Sequence, residues 1–192
     1  MASHFYAYMA RMKHIKRWGL RRNTREENDQ EHSLMVAMIA HALAVLRNTR
    51  YAGSVDAGKV VTLAIYHEAS EVITGDLASP IKYFNPGIKT AFKSIEQIAN
   101  EKLLSYLPED QRKHYGQLLF PDTRTEEYKL VKAADKISAY LKCVEELSYG
   151  NEEFRPAMNS LLDDIEKLDL PEVVDFMAEY APSFSLTLDA LN

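Results

Sequence analysis

Apolar residues along this chain recur at spacings of three and four, and no alternation at a spacing of two persists. That period belongs to helices rather than strands. The pattern predicts helices over roughly 3–17, 30–48, 56–71, 88–106, 109–118, 124–148, 152–167 and 171–180. Asn28 with Glu31, and Thr123 with Glu126, fit capping boxes at two of the starts. Gly75 and Pro80 mark an irregular loop after the third helix, and Pro108, Pro121 and Pro171 sit at other junctions. The stretch 30–48 is apolar on nearly every side, with Leu34, Val36, Met38, Ile39, Leu43, Val45 and Leu46. Such a helix is expected at the centre of a bundle. The stretch 56–71 adds Val60, Val61, Leu63, Ala64 and Ile65, and 124–148 puts Leu130, Ala134, Ile137, Leu141 and Val144 on one stripe. There is no linker, internal repeat or low-complexity segment, so one all-α domain over 1–192 is the expectation.

Size and composition agree. The chain has 192 residues, of which 46% are hydrophobic and 27% charged, enough for a buried core. Its single cysteine, Cys143, excludes an internal disulfide and suits a reducing compartment. No apolar run is long enough to span a bilayer, and the first residues lack a signal-peptide pattern, so a cytoplasmic protein is expected. The net charge of −5 is unevenly spread. Residues 1–25 carry seven basic side chains, whereas 145–192 carry twelve acids against Arg155 and Lys167. A basic patch on an acidic chain suits a small anionic ligand better than a nucleic acid polymer.

The candidate chemistry lies on the core-like helices. His32 opens the second of them, where a lone histidine is more often packed or capping than a ligand; His41, nine residues on, points elsewhere. His67 and Glu71 stand four apart, which on a helix is one face, with Glu68 about 100° around the axis. That set suits an ion with a carboxylate placed to take a proton from water, or a plain His–Glu hydrogen bond. Asp135 is a poor helix former between Ala134 and Lys136. Alone it would pair with Lys132 at the surface, but with His32 and His67 on neighbouring core helices a cation inside is the favoured reading. Asp76 follows Gly75 in the loop Thr74-Gly75-Asp76-Leu77-Ala78-Ser79-Pro80. Arg17 and Trp18 are expected to end the first helix, where an Arg suits phosphate and a Trp suits a sugar or base. A surface Arg and a core Trp are the alternatives.

Together, His32, His67 with its adjacent carboxylate, and Asp135 resemble the H…HD…D pattern of HD-domain metal-dependent phosphohydrolases. A closer resemblance is to bacterial HD-domain 5′-deoxynucleotidases of the YfbR type. It rests on Arg17-Trp18, on Arg25-Glu26-Glu27-Asn28 leading to Glu31-His32-Ser33, and on Tyr66-His67-Glu68-Ala69-Ser70-Glu71. It continues through Thr74-Gly75-Asp76-Leu77, Lys82-Tyr83-Phe84-Asn85, Ala139-Tyr140-Leu141-Lys142-Cys143 and Pro182-Ser183-Phe184.

The resemblance implies a helical bundle of the HD-domain type that hydrolyses deoxyribonucleoside 5′-monophosphates. It implies one divalent ion (Co, Mn or similar) on His32, His67, Glu68 and Asp135. It gives Glu71 the activation of water, Arg17 the phosphate, and Trp18 the deoxyribose, where it disfavours a 2′-hydroxyl. Asp76 would assist the leaving 5′-oxygen. Asp76, Leu77, Ala78 and Ser79 would contact the nucleotide, with His32, Glu68 and Asp135 also beside it. A homodimer is implied as well. Two positions depart from the family pattern. Glu68 stands where the family has Asp, and Ala78-Ser79 where relatives often read Pro-Thr. Glu remains a hard oxygen ligand, but its extra methylene displaces the carboxylate by about 1.5 Å if nothing relaxes. Glu68 keeps open a helical binding module with a degenerate metal site, and a metal enzyme acting on another nucleotide or phosphoester is a further alternative.

Overall fold

A computed structural model describes residues 2–191. Among them the structure is all helical, with no strand and one isolated antiparallel bridge between Lys16 and Asn28. The helices are α1 (Phe5–Met9), α2 (Asp29–Arg50), α3 (Ala57–Tyr66), α4 (Glu71–Thr74) and α5 (Ser79–Lys82). They continue as α6 (Pro86–Ser105), α7 (Glu109–Leu119), α8 (Glu126–Ser148), α9 (Arg155–Glu166) and α10 (Pro171–Glu179). Short 3₁₀ turns cover Ala10–His14, Glu152–Phe154, Ala181–Ser185 and Leu188–Leu191. No helix among the described residues is long and apolar enough to cross a membrane.

The capping chemistry explains several starts. Asn28 Oδ1 accepts from the Gln30 and Glu31 amides at 3.0 Å, and Glu31 returns a carboxylate oxygen to the Asn28 amide. This is the capping box expected for α2. For α8 the cap is Thr125, whose hydroxyl accepts from Tyr128 N, and not Thr123. Asn85 caps α6, with Pro86 in its first turn.

The chain divides into two compact units. The first comprises residues 1–21, 26–33 and 65–122. Its core is Phe5, Ala69, Leu103, Leu107 and Leu119, with Tyr66, Val72, Leu104 and Tyr115 packed against them. The Phe5 ring meets Tyr115 edge-on at 5.0 Å. Helices α6 and α7 pack together, and α4 lies against α6 and the Ala10–His14 turn.

Two expectations fail in this unit. The first helix does not run to residue 17. It tightens at Ala10, and Ile15 turns extended at φ −94° and ψ 111°. Arg17 and Trp18 thus lie in an irregular segment pinned by the Lys16–Asn28 bridge. The third helix stops at Tyr66 instead of running to 71. Bonds from Ala69 N to Tyr66 O and from Glu71 N to Glu68 O, both 3.0 Å, close the chain at a spacing of three. That tighter winding turns each side chain about 120° from the last, so His67 and Glu71 do not stack as they would at i and i+4. Past α4, Gly75 at φ 72° and ψ 164° takes a backbone open only to glycine, and the chain reverses into α5 within the expected loop.

The second unit comprises residues 22–25, 34–64 and 123–192. Helix α8 is its axis, packed by α9 and by the turns at Glu152–Phe154 and Ala181–Ser185. Leu130, Ala134, Ile137 and Leu141 are buried as their spacing predicts, together with Val60, Leu63 and Ala64 of α3; Ile65 is exposed. Helix α2 departs from the expectation of all-round burial. Val36, Ile39 and Leu43 are buried, but Leu34, Met38 and Val45 are 59%, 52% and 41% exposed. His41 is exposed on the same side. Arg47 bonds the buried Glu172 at 3.0 Å and Glu126 at 2.6 Å, tying α2 to α10 and α8.

A buried ion pair anchors residues 22–25 to α8. Lys142 Nζ donates to Glu146 at 2.5 Å and to Arg25 O at 2.6 Å. Glu146 also accepts from the Thr24 and Arg25 amides and from Asn151. Burial pushes the Glu146 carboxyl up, but these donors outweigh it and bring it down to about 2. A depressed carboxyl stabilises the fold above its ordinary value near 4.5, and that contribution fades as pH falls toward 2. Urea titrations of the wild type are therefore expected to lose stability between pH 4.5 and 2. Glu146→Gln should be less stable at pH 7 and show a flatter profile over that range.

Candidate active site

The first unit gathers most of the expected residues. His32 sits in the first turn of α2 and is fully buried. Its ring centroid lies 5.4 Å from that of His67, which follows the last turn of α3. His67 Nε2 stands 3.4 Å from Glu68 Oε1. Each of His32, His67 and Glu68 offers a donor atom within 4.8 Å of the others. Buried Ala69 faces the core between Glu68 and Glu71, so the tight turn sends the functional side chains away from it.

Around this trio stands a group of carboxylates. Burial first, then repulsion from Glu68, Asp29 and Asp76, pushes the Glu71 carboxyl up to about 11. Burial likewise raises Asp29 to about 7, with the neighbouring Glu71 carboxyl and Arg17 pulling the other way. Asp76, delivered by the Gly75 reversal, is raised chiefly by burial. Asp29 carried no expectation from the sequence, because a polar residue beside Asn28 reads there as part of the cap.

The Arg17 guanidinium stands among these acids. Its Nη1 lies 3.7 Å from Asp29 and 4.0 Å from Glu68, and its Nε lies 3.5 Å from Glu27. Trp18 stands beside it with the rare backbone φ of 60°. Leu77 and Ala78 are half-buried, and Ser79 is exposed at the start of α5. Asp135 lies on α8 in the second unit, where it forms an ion pair with Lys132, the alternative to the favoured cation.

Two imidazoles and a carboxylate make a donor set for a divalent transition metal. Burial and mutual repulsion raise the carboxyls nearby, so added positive charge would relieve the same repulsion that raises them. The residues therefore fit a divalent cation.

The family model described as 5′-deoxynucleotidase YfbR-like matches residues 4–184. The chain belongs to the YfbR-like 5′-deoxynucleotidase family. As a family member it is a hydrolase, with the activity that its sequence resemblance implies. A 5′-deoxynucleotidase of Yersinia pseudotuberculosis is 49% identical over 191 residues, 99% of this chain and 97% of that protein. One of Vibrio vulnificus is 48% identical over 191 residues, covering 99% and 98%. Among solved structures, an HD-domain phosphohydrolase of Listeria innocua superposes with a TM-score of 0.82 at 22% identity, covering 94% of this chain and 88% of that one. The HD phosphohydrolase of cyanophage S-2L, described as bound to dA and one catalytic Zn²⁺ ion, gives 0.67 at 20% identity, covering 94% and 96%. These two likenesses establish the fold: this YfbR-like chain has the helical architecture of the HD-domain phosphohydrolases.

The donor set predicts a stability effect that needs no substrate. Mn²⁺ or Co²⁺ at a hundred times its Kd should stabilise the folded protein by about 2.7 kcal/mol, read as a higher melting temperature reversed by chelator. Glu68→Asp should keep that shift, and Glu68→Ala should shrink it. Equal shifts in all three proteins would remove Glu68 from the ligand set.

Proposed function

We propose that the protein binds one divalent ion, Co, Mn or a similar metal, through His32, His67, Glu68 and Asp135. With it the protein hydrolyses deoxyribonucleoside 5′-monophosphates to the deoxynucleoside and phosphate. The observation that carries this reading is the meeting, in one unit, of the His32–His67–Glu68 donors, the buried Glu71 carboxyl and the Arg17 guanidinium. The order of the ligands along the chain, with Asp135 last, supports the fourth assignment. The bound ion supplies Lewis-acid polarisation of the phosphate and acidifies water.

The chain's own groups supply the rest. Arg17 presents a planar fork of donors to the phosphate oxygens and offsets their charge. Glu71 takes the proton of the attacking water. Positive charge at the donor set favours its ionised form, which a general base requires. Asp76 has a raised carboxyl and so favours the protonated form, suited to giving a proton to the leaving 5′-oxygen. Trp18 packs against the deoxyribose and crowds a 2′-hydroxyl. Leu77, Ala78 and Ser79 contact the nucleotide, with His32, Glu68 and Asp135 beside it.

We place the protein in the cytoplasm, as a homodimer. The exposed apolar stripe of Leu34, Met38 and Val45 on α2 supports the dimer, because a twofold axis can bury such a stripe against itself.

Phosphate release from dAMP and AMP with Co²⁺ or Mn²⁺ tests the reaction. Release is expected to depend on the metal and to favour dAMP. Glu71→Ala should lower kcat by about 10²–10⁴-fold, the usual worth of a general base. No metal-dependent release from any deoxynucleotide would sink the reading. Light scattering after size exclusion checks the assembly: Met38→Glu should convert a dimer to a monomer.

A further inference from the structure

The bridge between Lys16 and Asn28 sets Arg17 directly opposite Glu27. Arg17 N donates to Glu27 O at 3.0 Å, and Asp29 N donates to Ile15 O at 3.1 Å. The side chains continue what the backbone begins. Glu27 Oε2 accepts from Trp18 Nε1 at 3.0 Å and lies 3.5 Å from Arg17 Nε. The other oxygen, Oε1, lies 3.9 Å from His32 Nδ1. One carboxylate therefore reaches three residues with different tasks.

The Glu27 side chain is only 15% exposed, so little water competes for these contacts. Trp18 needs them. Its φ of 60° is costly for a bulky side chain and persists only where surroundings enforce it. Arg21 covers a face of the indole at 5.9 Å, and Glu27 holds its N–H edge.

We propose that Glu27 is a positioning residue that fixes the Trp18 indole, and thereby sets discrimination between deoxyribo- and ribonucleotides, while aligning Arg17 and His32. The specificity half rests on the function proposed above. The mechanical half, that Glu27 holds Trp18, does not.

Trp18 is the only tryptophan, so its fluorescence reports on this side chain alone. In Glu27→Ala, acrylamide quenching should rise at least about twofold. The ratio of kcat/KM for dAMP over AMP should fall about tenfold or more, the scale set by losing a hydrogen bond to a charged partner. Glu27→Gln keeps an acceptor for the indole, so quenching and ratio should stay near wild type. Its KM should rise, because Arg17 loses a charged neighbour. Circular dichroism and melting curves establish that each variant is folded.

A folded Glu27→Ala protein with wild-type quenching and ratio overturns the proposal. So does equal loss of activity on dAMP and AMP with quenching unchanged, the mark of a merely structural residue. If the wild-type enzyme shows no deoxynucleotide preference, the functional reading fails instead. Quenching then decides: a rise in Glu27→Ala upholds the hold on Trp18, and no change overturns it.

Discussion

Everything at the site follows from crowding negative charge where water is scarce. Asp29, Glu68, Glu71 and Asp76 share a region in which burial raises the carboxyls of Asp29, Glu71 and Asp76. Like charges that close cannot all ionise unless something positive joins them. Arg17 meets two of these four acids directly, Asp29 and Glu68. The remaining demand falls where two histidines and Glu68 offer their lone pairs together. A phosphohydrolase needs this balance. In the proposed reaction, a cation at the donor set would favour the ionised form of Glu71, and the same charge would attract phosphate.

The scaffold meets that demand with helix ends rather than helix middles. His32 opens α2, His67 and Glu68 follow α3, and Glu71 opens α4. At a helix end the backbone changes direction, so neighbouring residues can approach one point from several sides. The core residue Ala69 holds the tight turn down, and α6 buttresses α4. The hydrophobic packing thereby fixes the directions from which the polar atoms converge.

Much of this was legible in the residues. Helical period identified the all-α class, the Asn28–Glu31 box marked the start of α2, and the order of histidines and acids singled out His32, His67 and Glu68, whose donor atoms gather. The failures have physical causes. Nothing in Tyr66-His67-Glu68-Ala69 breaks a helix by propensity, because the change to three-residue spacing is imposed by packing Ala69 into the core. The pairing of residues 15–17 with 27–29 is a contact between segments with no strand period, so pattern reading extends the first helix through Arg17. Helix α2 read as buried all round because apolar residues on an exposed stripe look the same as core residues. Asp29 and Glu27 were hidden for a related reason: a carboxylate near a cap has an ordinary local explanation, and only the fold reveals what lies across from it.

The turn from His67 to Ser70 also bears on how this chain can change over generations. Each added or deleted residue there would swing Glu71 by a third of a revolution relative to His67, and Asp76 with it. A side chain of different length in the turn can bend back to the same spot. Chain length has no such slack. For the geometry of this segment, substitution is thus an open path and insertion a closed one.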